Sequence, residues 1–226
     1  MLTLRRSVKY AVRQTVPHSL LSAVRSGQAA ARRRRTARRN RAAIENLLRG
    51  GRPVWLEFGE WKKRLPGWTT VDLSLASDIA LDVADPLPFP SNSVERMYSS
   101  HLLEYFSYPK PMADFLAECH RILKPAGQFR VAVPNASIWL EGCCKPEQFD
   151  AEKYCVYAPA FHYRTRIDFV NYIAYMDGQH RHLFDEDNLL ATLAEAGFKD
   201  VRSTGFDASI DIEAREFESI YAEATK

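Results

Sequence analysis

Between Pro66 and His101 the chain reads PGWTTVDLSLASDIALDVADPLPFPSNSVERMYSSH, and this stretch constrains the fold more than any other. Val71 leads into Asp72, and Ile79-Ala80-Leu81 leads into Asp82. The turn Asp85-Pro86-Leu87-Pro88-Phe89-Pro90 then leads into Val94-Glu95-Arg96-Met97-Tyr98-Ser99-Ser100. Short apolar runs bounded by Pro, Asn, Ser and Asp predict strands meeting loops. In open α/β sheets ligands collect at strand ends, and a carboxylate placed there can accept both hydroxyls of a ribose. The pattern therefore favours a nucleoside-containing ligand.

The flanking sequence supplies the other layers of such a sheet. Val54-Trp55-Leu56-Glu57-Phe58 predicts a buried strand arriving at Gly59, and further strands are expected near 69–72, 78–81 and 94–99. From Pro109 to Leu123, apolar Met112, Phe115, Leu116, Cys119, Ile122 and Leu123 recur at helical spacing, and Lys124-Pro125-Ala126-Gly127 stops the helix. A strand over 128–133 follows. A second helix runs from a capping Asp185 through Leu189, Leu190, Leu193 and Ala196 to Gly197. Strands over 198–202 and 217–222 close the chain. Strands alternating with helices imply an α/β sheet with helices on both faces.

At 226 residues the chain suits one domain with an extension, and no apolar run is long enough to span a bilayer. The net charge of +3 conceals a division. Residues 1–49 hold thirteen Lys or Arg and the single acid Glu45, leaving eighteen basic and twenty-seven acidic residues in 50–226. Residues 1–51 thus read as a basic, helical or flexible arm, and 52–226 as the domain. Helix is expected from Gln28 to Leu48, with Ala37, Ile44, Leu47 and Leu48 near one side and Gly50-Gly51 as the stop. Clustered Arg suits first a solvated arm, then contact with anionic lipid, then nucleic acid, which ranks last because no aromatics interleave for base stacking. The beginning of the chain shares its acid-poor, Arg- and Ser-rich composition with transit peptides, but lacks the uninterrupted apolar stretch of a secretory signal. Cys119, Cys143, Cys144 and Cys155 show no CxxC spacing and read as free thiols in a reducing compartment, so a cytoplasmic protein is expected, with the arm as its route to a membrane surface.

Six motifs follow in order along the body: GWTTVDL at Gly67–Leu73, PLPFP at Pro86–Pro90, SSHLLE at Ser99–Glu104, EC-RILKP-G at Glu118–Gly127, VAVPNA at Val131–Ala136, and HLFDEDNL…AGF at His182–Phe198. With them, the chain from about Pro53 to Lys226 resembles the class I S-adenosylmethionine-dependent methyltransferases, in a small, single-domain, bacterial-type group. The resemblance implies a seven-stranded, mostly parallel sheet with its last strand antiparallel, and S-adenosylmethionine bound along the strand ends. It matches Gly59 to the glycine that lets the cofactor approach, Asp72 to the acid that holds the ribose hydroxyls, and Asp82 with Val83 to the position beside adenine. Ser100 and His101 match the segment near the methyl donor, and Glu57 a position near the cofactor's amino group. Asp72 and Asp82 are also suited to capping their own turns, and His101 to a structural hydrogen bond. The sequence departs from the pattern at Gly59-Glu60-Trp61, where Trp61 stands at the family's second glycine. That departure keeps open a non-catalytic binding or scaffold protein of the same fold.

A sulfonium methyl donor is already activated, so the protein chiefly has to align a nucleophile, adding a base when the nucleophile is poor. The expected acceptor is a small molecule or glycan methylated on a sugar or other hydroxyl, with His101, His180 and His182 as catalytic candidates and Asp185 as a partner. Residues 143–182 are expected as an acceptor-side insertion. They hold five of the ten tyrosines and three of the six histidines. Tyr154, Tyr157, His162, Tyr163, Arg164, Arg166, Tyr172 and Tyr175 are suited to lining a polar pocket, but Phe169, Tyr172, Ile173 and Met176 have the spacing of a helix core, which is the favoured reading for most of them, with His180 and His182 as the expected pocket residues. A nicotinamide-dependent oxidoreductase is disfavoured because no GxGxxG follows the first strand.

Overall fold

A computed structural model describes residues 18–59 and 65–226. The chain divides into two units, the first ending at Ala42 and the second spanning Ala43–Lys226. Helix α1 (His18–Arg49) starts ten residues before the expected Gln28. Its composition explains the length: Ala, Arg and Leu favour helix, and the one internal glycine, Gly27, costs only about 1 kcal/mol. In the second unit Ile44 enters the core, with Ala43, Leu47 and Leu48 packed against it. Ala37, expected on the same side, is exposed.

The second unit is built on a seven-stranded sheet in the order β3-β2-β1-β4-β5-β7-β6. Strands β1 (Trp55–Phe58), β2 (Thr69–Asp72), β3 (Ile79–Ala80), β4 (Val94–Ser100) and β5 (Leu123–Pro134) run parallel. Strand β7 (Ser219–Thr225) is antiparallel to both β5 and β6 (Lys199–Thr204). Phe58 pairs with Val71 on one side and Ser99 on the other, so the ends of β1, β2 and β4 stand level. Leu56, Val71, Met97, Phe129 and Val131 from these strands are almost fully buried, as runs covered on both faces should be.

The covering helices follow the expected patterns. Helix α2 (Lys110–Ile122) buries Met112, Phe115, Leu116, Cys119 and Ile122. Between it and the last helix lie α3 (Ser137–Cys144), α4 (Ala151–Tyr154) and α5 (Ile167–Tyr175). These carry a separate core of Trp139, Phe169, Tyr172 and Ile173, with Phe149, Tyr154 and Met176 packed on it. Helix α6 (Glu186–Glu195) is capped by Asp185, whose carboxylate accepts from the Asn188 N–H at 2.8 Å.

Two strands start more than one residue from the expected position. Strand β5 begins at Leu123, directly after α2, because Leu123 pairs with Val94 and continues the ladder through the Lys124–Gly127 stop. Strand β7 begins at Ser219 rather than at 217, because Phe217 and Glu218 finish a 3-10 turn over Glu213–Glu218.

Candidate functional site

The level strand ends open onto a cavity of about 370 Å³. Gly59, Asp72, Leu73, Asp82, Val83 and Ala84 form one wall, and Ser100, His101, Leu102, Tyr105 and Phe106 the other. Ile212 and Arg215 close it from the segment before β7. Six of the nine residues expected at the site from sequence therefore meet at one place: Gly59, Asp72, Asp82, Val83, Ser100 and His101.

Each is held by local geometry. Gly59 adopts φ +86°, a conformation side-chain-bearing residues rarely take, while its N–H donates to the Val71 carbonyl at 3.0 Å. A Cβ there would lie 3.9 Å from the Ser100 carbonyl, an ordinary contact, so the backbone requires the glycine and crowding by the protein does not. The Asp72 carboxylate accepts from the Ser74 N–H at 2.7 Å, and that of Asp82 from the Ala84 N–H at 3.0 Å. Both acids thus fold their own turns while lining the cavity, so the turn-forming and cavity-facing readings hold together. Glu57 is buried in β1, two residues before Gly59.

The opposite wall is anchored by the C-terminal part of the chain. Arg215 donates through Nη1 to both the carbonyl and the hydroxyl of Ser100, at 2.9 and 3.1 Å. The segment carrying Arg215 is tied down by a buried ion pair between Arg130 of β5 and Asp211, with a 2.9 Å bond from Nε to Oδ1. Arg130 also donates to Thr204, Gly205 and Glu223. His101 sits at φ +50°, its Nε2 2.8 Å from the Ser219 hydroxyl. Burial, with the charges of Arg215 and His180, holds its pKa well below the usual histidine value, so it is neutral at physiological pH.

Beside this wall lies a buried carboxyl that sequence patterning did not single out. Glu104 is 2% exposed, and neither side-chain oxygen has a well-formed hydrogen bond among the described residues. Burial pushes its pKa up to about 8, against smaller opposing effects of its own N–H and Arg215. Burial likewise raises Glu218 to about 7.

His180 and His182 do not line the cavity. The N–H groups of Arg181 and His182 donate to the Glu104 carbonyl at 2.7 and 3.2 Å, and this holds their segment behind the wall. His180 Nδ1 donates to the Ile173 carbonyl at 2.7 Å, and the ring meets Tyr105 edge-on at 5.4 Å. His182 pairs with Asn188 at 2.9 Å and stacks on Tyr108 at 5.2 Å. Tyr154, Tyr157, His162, Tyr163, Arg164, Arg166, Tyr172 and Tyr175 are also absent from the lining. The expected cofactor-loop departure at Trp61 lies outside the described residues.

The residues present fit an adenosyl ligand. A carboxylate ends β2 and can accept from hydroxyls such as those of a ribose, Leu73, Val83 and Phe106 offer apolar surface, and the volume lies in the range of small-molecule pockets. Residues 64–131, from before β2 to within β5, match the family model described as a methyltransferase domain. The fold is the α/β, Rossmann-like methyltransferase fold. No curated protein matches the chain. Similar solved structures include an S-adenosylmethionine-dependent methyltransferase from Archaeoglobus fulgidus, 15% identical over 86% of this chain and 94% of that one, with a TM-score of 0.45. Another, from Mesorhizobium loti, is 18% identical over 81% of this chain and 98% of that one, at 0.45. A third is Haemonchus contortus phosphoethanolamine N-methyltransferase 2 in complex with S-adenosyl-L-methionine, 13% identical over 82% of this chain and 51% of that one, at 0.45.

Proposed function

We propose that this methyltransferase transfers a methyl group from S-adenosylmethionine to a hydroxyl of a small-molecule or glycan acceptor, with His101 as the group nearest the reacting oxygen. The observation that carries the reading is a neutral histidine on the cavity wall directly after the β4 end, opposite the carboxylate that ends β2. Asp72 would hold the ribose, Asp82 and Val83 the adenine, and Gly59 and Ser100 the amino-acid side of the cofactor; Glu57, buried in β1 and not among the lining residues, stands behind that side. Bound there, the cofactor supplies a methyl carbon whose sulfur withdraws the bonding electrons as the carbon is attacked. The protein's work is alignment and proton removal: a hydroxyl is a poor nucleophile at neutral pH, and a neutral imidazole within hydrogen-bond reach strengthens it.

Thermal shift and calorimetry with S-adenosylmethionine and S-adenosylhomocysteine, followed by a panel of hydroxylated acceptors, test the proposal. Binding of both nucleosides and methylation of a hydroxyl are expected; a folded protein that binds neither would overturn it. Trp61 supports the rival reading, a scaffold with a degenerate cofactor loop. Cofactor binding gained in Trp61→Gly and missing from the parent would favour that rival.

Residues 1–49 extend the proposal to a cytoplasmic enzyme touching anionic membrane. Among the described residues no helix is long and apolar enough to cross a membrane. The expected outcome is pelleting with anionic vesicles that fades as salt rises; equal pelleting with neutral vesicles would remove the electrostatic role.

A further inference from the structure

The hydroxyl of Ser219 makes two short contacts and has one hydrogen to give. It donates to the Arg215 carbonyl at 2.7 Å, an atom that can only accept. The other contact, 2.8 Å to His101 Nε2, is therefore satisfied only when Nε2 carries the hydrogen and Ser219 accepts it. A neutral imidazole has one N–H, so the lone pair must reside on Nδ1. No hydrogen bond among the described residues engages Nδ1, and His101 lines the cavity.

The arrangement is built from distant parts of the chain. His101 follows β4, its N–H fixed to the Ala132 carbonyl of β5 at 2.9 Å. Ser219 opens β7, and Arg215 lies one turn earlier, itself bonded to Ser100. The φ of +50° at His101 belongs to a sparsely occupied region for a residue with a side chain, a cost met where surrounding contacts over-determine the conformation.

We infer that Ser219, through its bond to the Arg215 carbonyl, is a positioning residue that locks His101 in the Nε2–H tautomer and so makes Nδ1 the proton acceptor for the methyl acceptor's hydroxyl. The inference deepens the proposed hydroxyl methylation and rests on it for the proton's source. In the step, the acceptor O–H bond breaks and its electron pair stays on oxygen for the new bond to carbon. The proton goes to Nδ1, while the bond from carbon to sulfur breaks with its electrons left on sulfur. The imidazolium so formed faces the positive charge of Arg215 and the neighbouring His180, so it surrenders the proton to water and resets the neutral base. Acceptors that bring an exchangeable hydrogen to the reacting atom are favoured, because they alone can donate to Nδ1.

Long-range nitrogen–proton NMR of histidine-labelled full-length protein reads the tautomer without cofactor or acceptor, with His101→Gln assigning the signals. The expected result is Nε2–H with an unprotonated Nδ1 near neutral pH. Ser219→Ala should convert this to a tautomer mixture, and Ser219→Thr, which keeps the hydroxyl, should restore it. With an acceptor from the hydroxyl panel, Ser219→Ala should lower kcat by about tenfold or more with little change in KM. An Nδ1–H tautomer in the parent, or an unchanged tautomer in folded Ser219→Ala, overturns the inference. Since the parent spectrum decides by itself, a variant that fails to fold does not rescue the idea. Loss of cofactor binding, read separately by calorimetry, would instead sink the methyltransferase proposal.

Discussion

Arg215 reaches from the segment before β7 and binds both oxygens of Ser100, closing the cavity from an element remote in sequence. Its guanidinium is desolvated there, which pulls its pKa below the ordinary value. Replacing it with Met removes the donor and leaves two polar acceptors facing an apolar chain. Arg215→Met should lose about 1.5–3 kcal/mol of stability, the usual value of hydrogen bonds made by a charged group, as measured by urea denaturation. Because Arg215 also lowers the Glu104 pKa, that carboxyl should titrate still higher in the variant, visible by carbon NMR of labelled glutamate.

Asp72 offers a cleaner test of cofactor recognition. Asn at 72 keeps an oxygen for the Ser74 N–H, so the turn should survive. What it loses is the charge that strengthens bonds from ribose hydroxyls. Calorimetry should show S-adenosylhomocysteine binding weakened roughly 10-fold to 100-fold, with the melting temperature of the free protein little changed. Unchanged affinity would remove Asp72 from the site.

Glu104 makes stability depend on pH in an unusual direction. An acid whose pKa is higher folded than unfolded holds more protons in the folded state between the two values, so stability falls as pH rises through that window. For Glu104 the window runs from its ordinary 4.5 to about 8, and Glu218, raised to about 7, acts with the same sign. Glu104→Gln, which cannot ionise, should flatten the decline in denaturation midpoint between pH 5 and 8 and gain on the parent at the alkaline end. A decline equally steep in both proteins would count against burial of the charged form.

The buried pair of Arg130 and Asp211 supports the segment that carries Ile212 and Arg215. Arg130→Met leaves the Asp211 carboxylate buried without its cation, and should cost about 3–5 kcal/mol in chemical denaturation. Arg130→Met combined with Asp211→Leu should recover much of that loss, since it removes both charges from the interior. A strictly additive double variant would show that the pair does not act as a unit.

What could be read from sequence was what recurs locally. Helix α2 announced itself through Met112, Phe115, Leu116, Cys119 and Ile122, and Asp185 through its place before an apolar repeat. The cavity residues from Gly59 to His101 were legible because they sit at the ends of β1 to β4, where a short run stops at a turn. Arg215 and Ile212 left no such mark, because nothing near them in sequence shows that β7 will insert beside β5. Spacing alone could not separate the two readings of the aromatic insertion: a tyrosine such as Tyr172 has the same spacing whether it faces a ligand or, as here and as favoured from sequence, a small core of its own. His180 and His182 were drawn behind the wall by the Glu104 carbonyl, a tertiary contact with no sequence signature.

The place of β7 bears on how the chain is made as well as on what it does. Synthesis delivers β6 before β7, the strand that stands between it and β5 in the order β5-β7-β6. A nascent chain therefore carries an unpaired, polar β6 and an unsupported His101 until residues 219–225 emerge. The same seven residues then complete the sheet and bring Ser219 to the imidazole. A growing chain of this protein has no finished site to engage a ligand before its fold is finished.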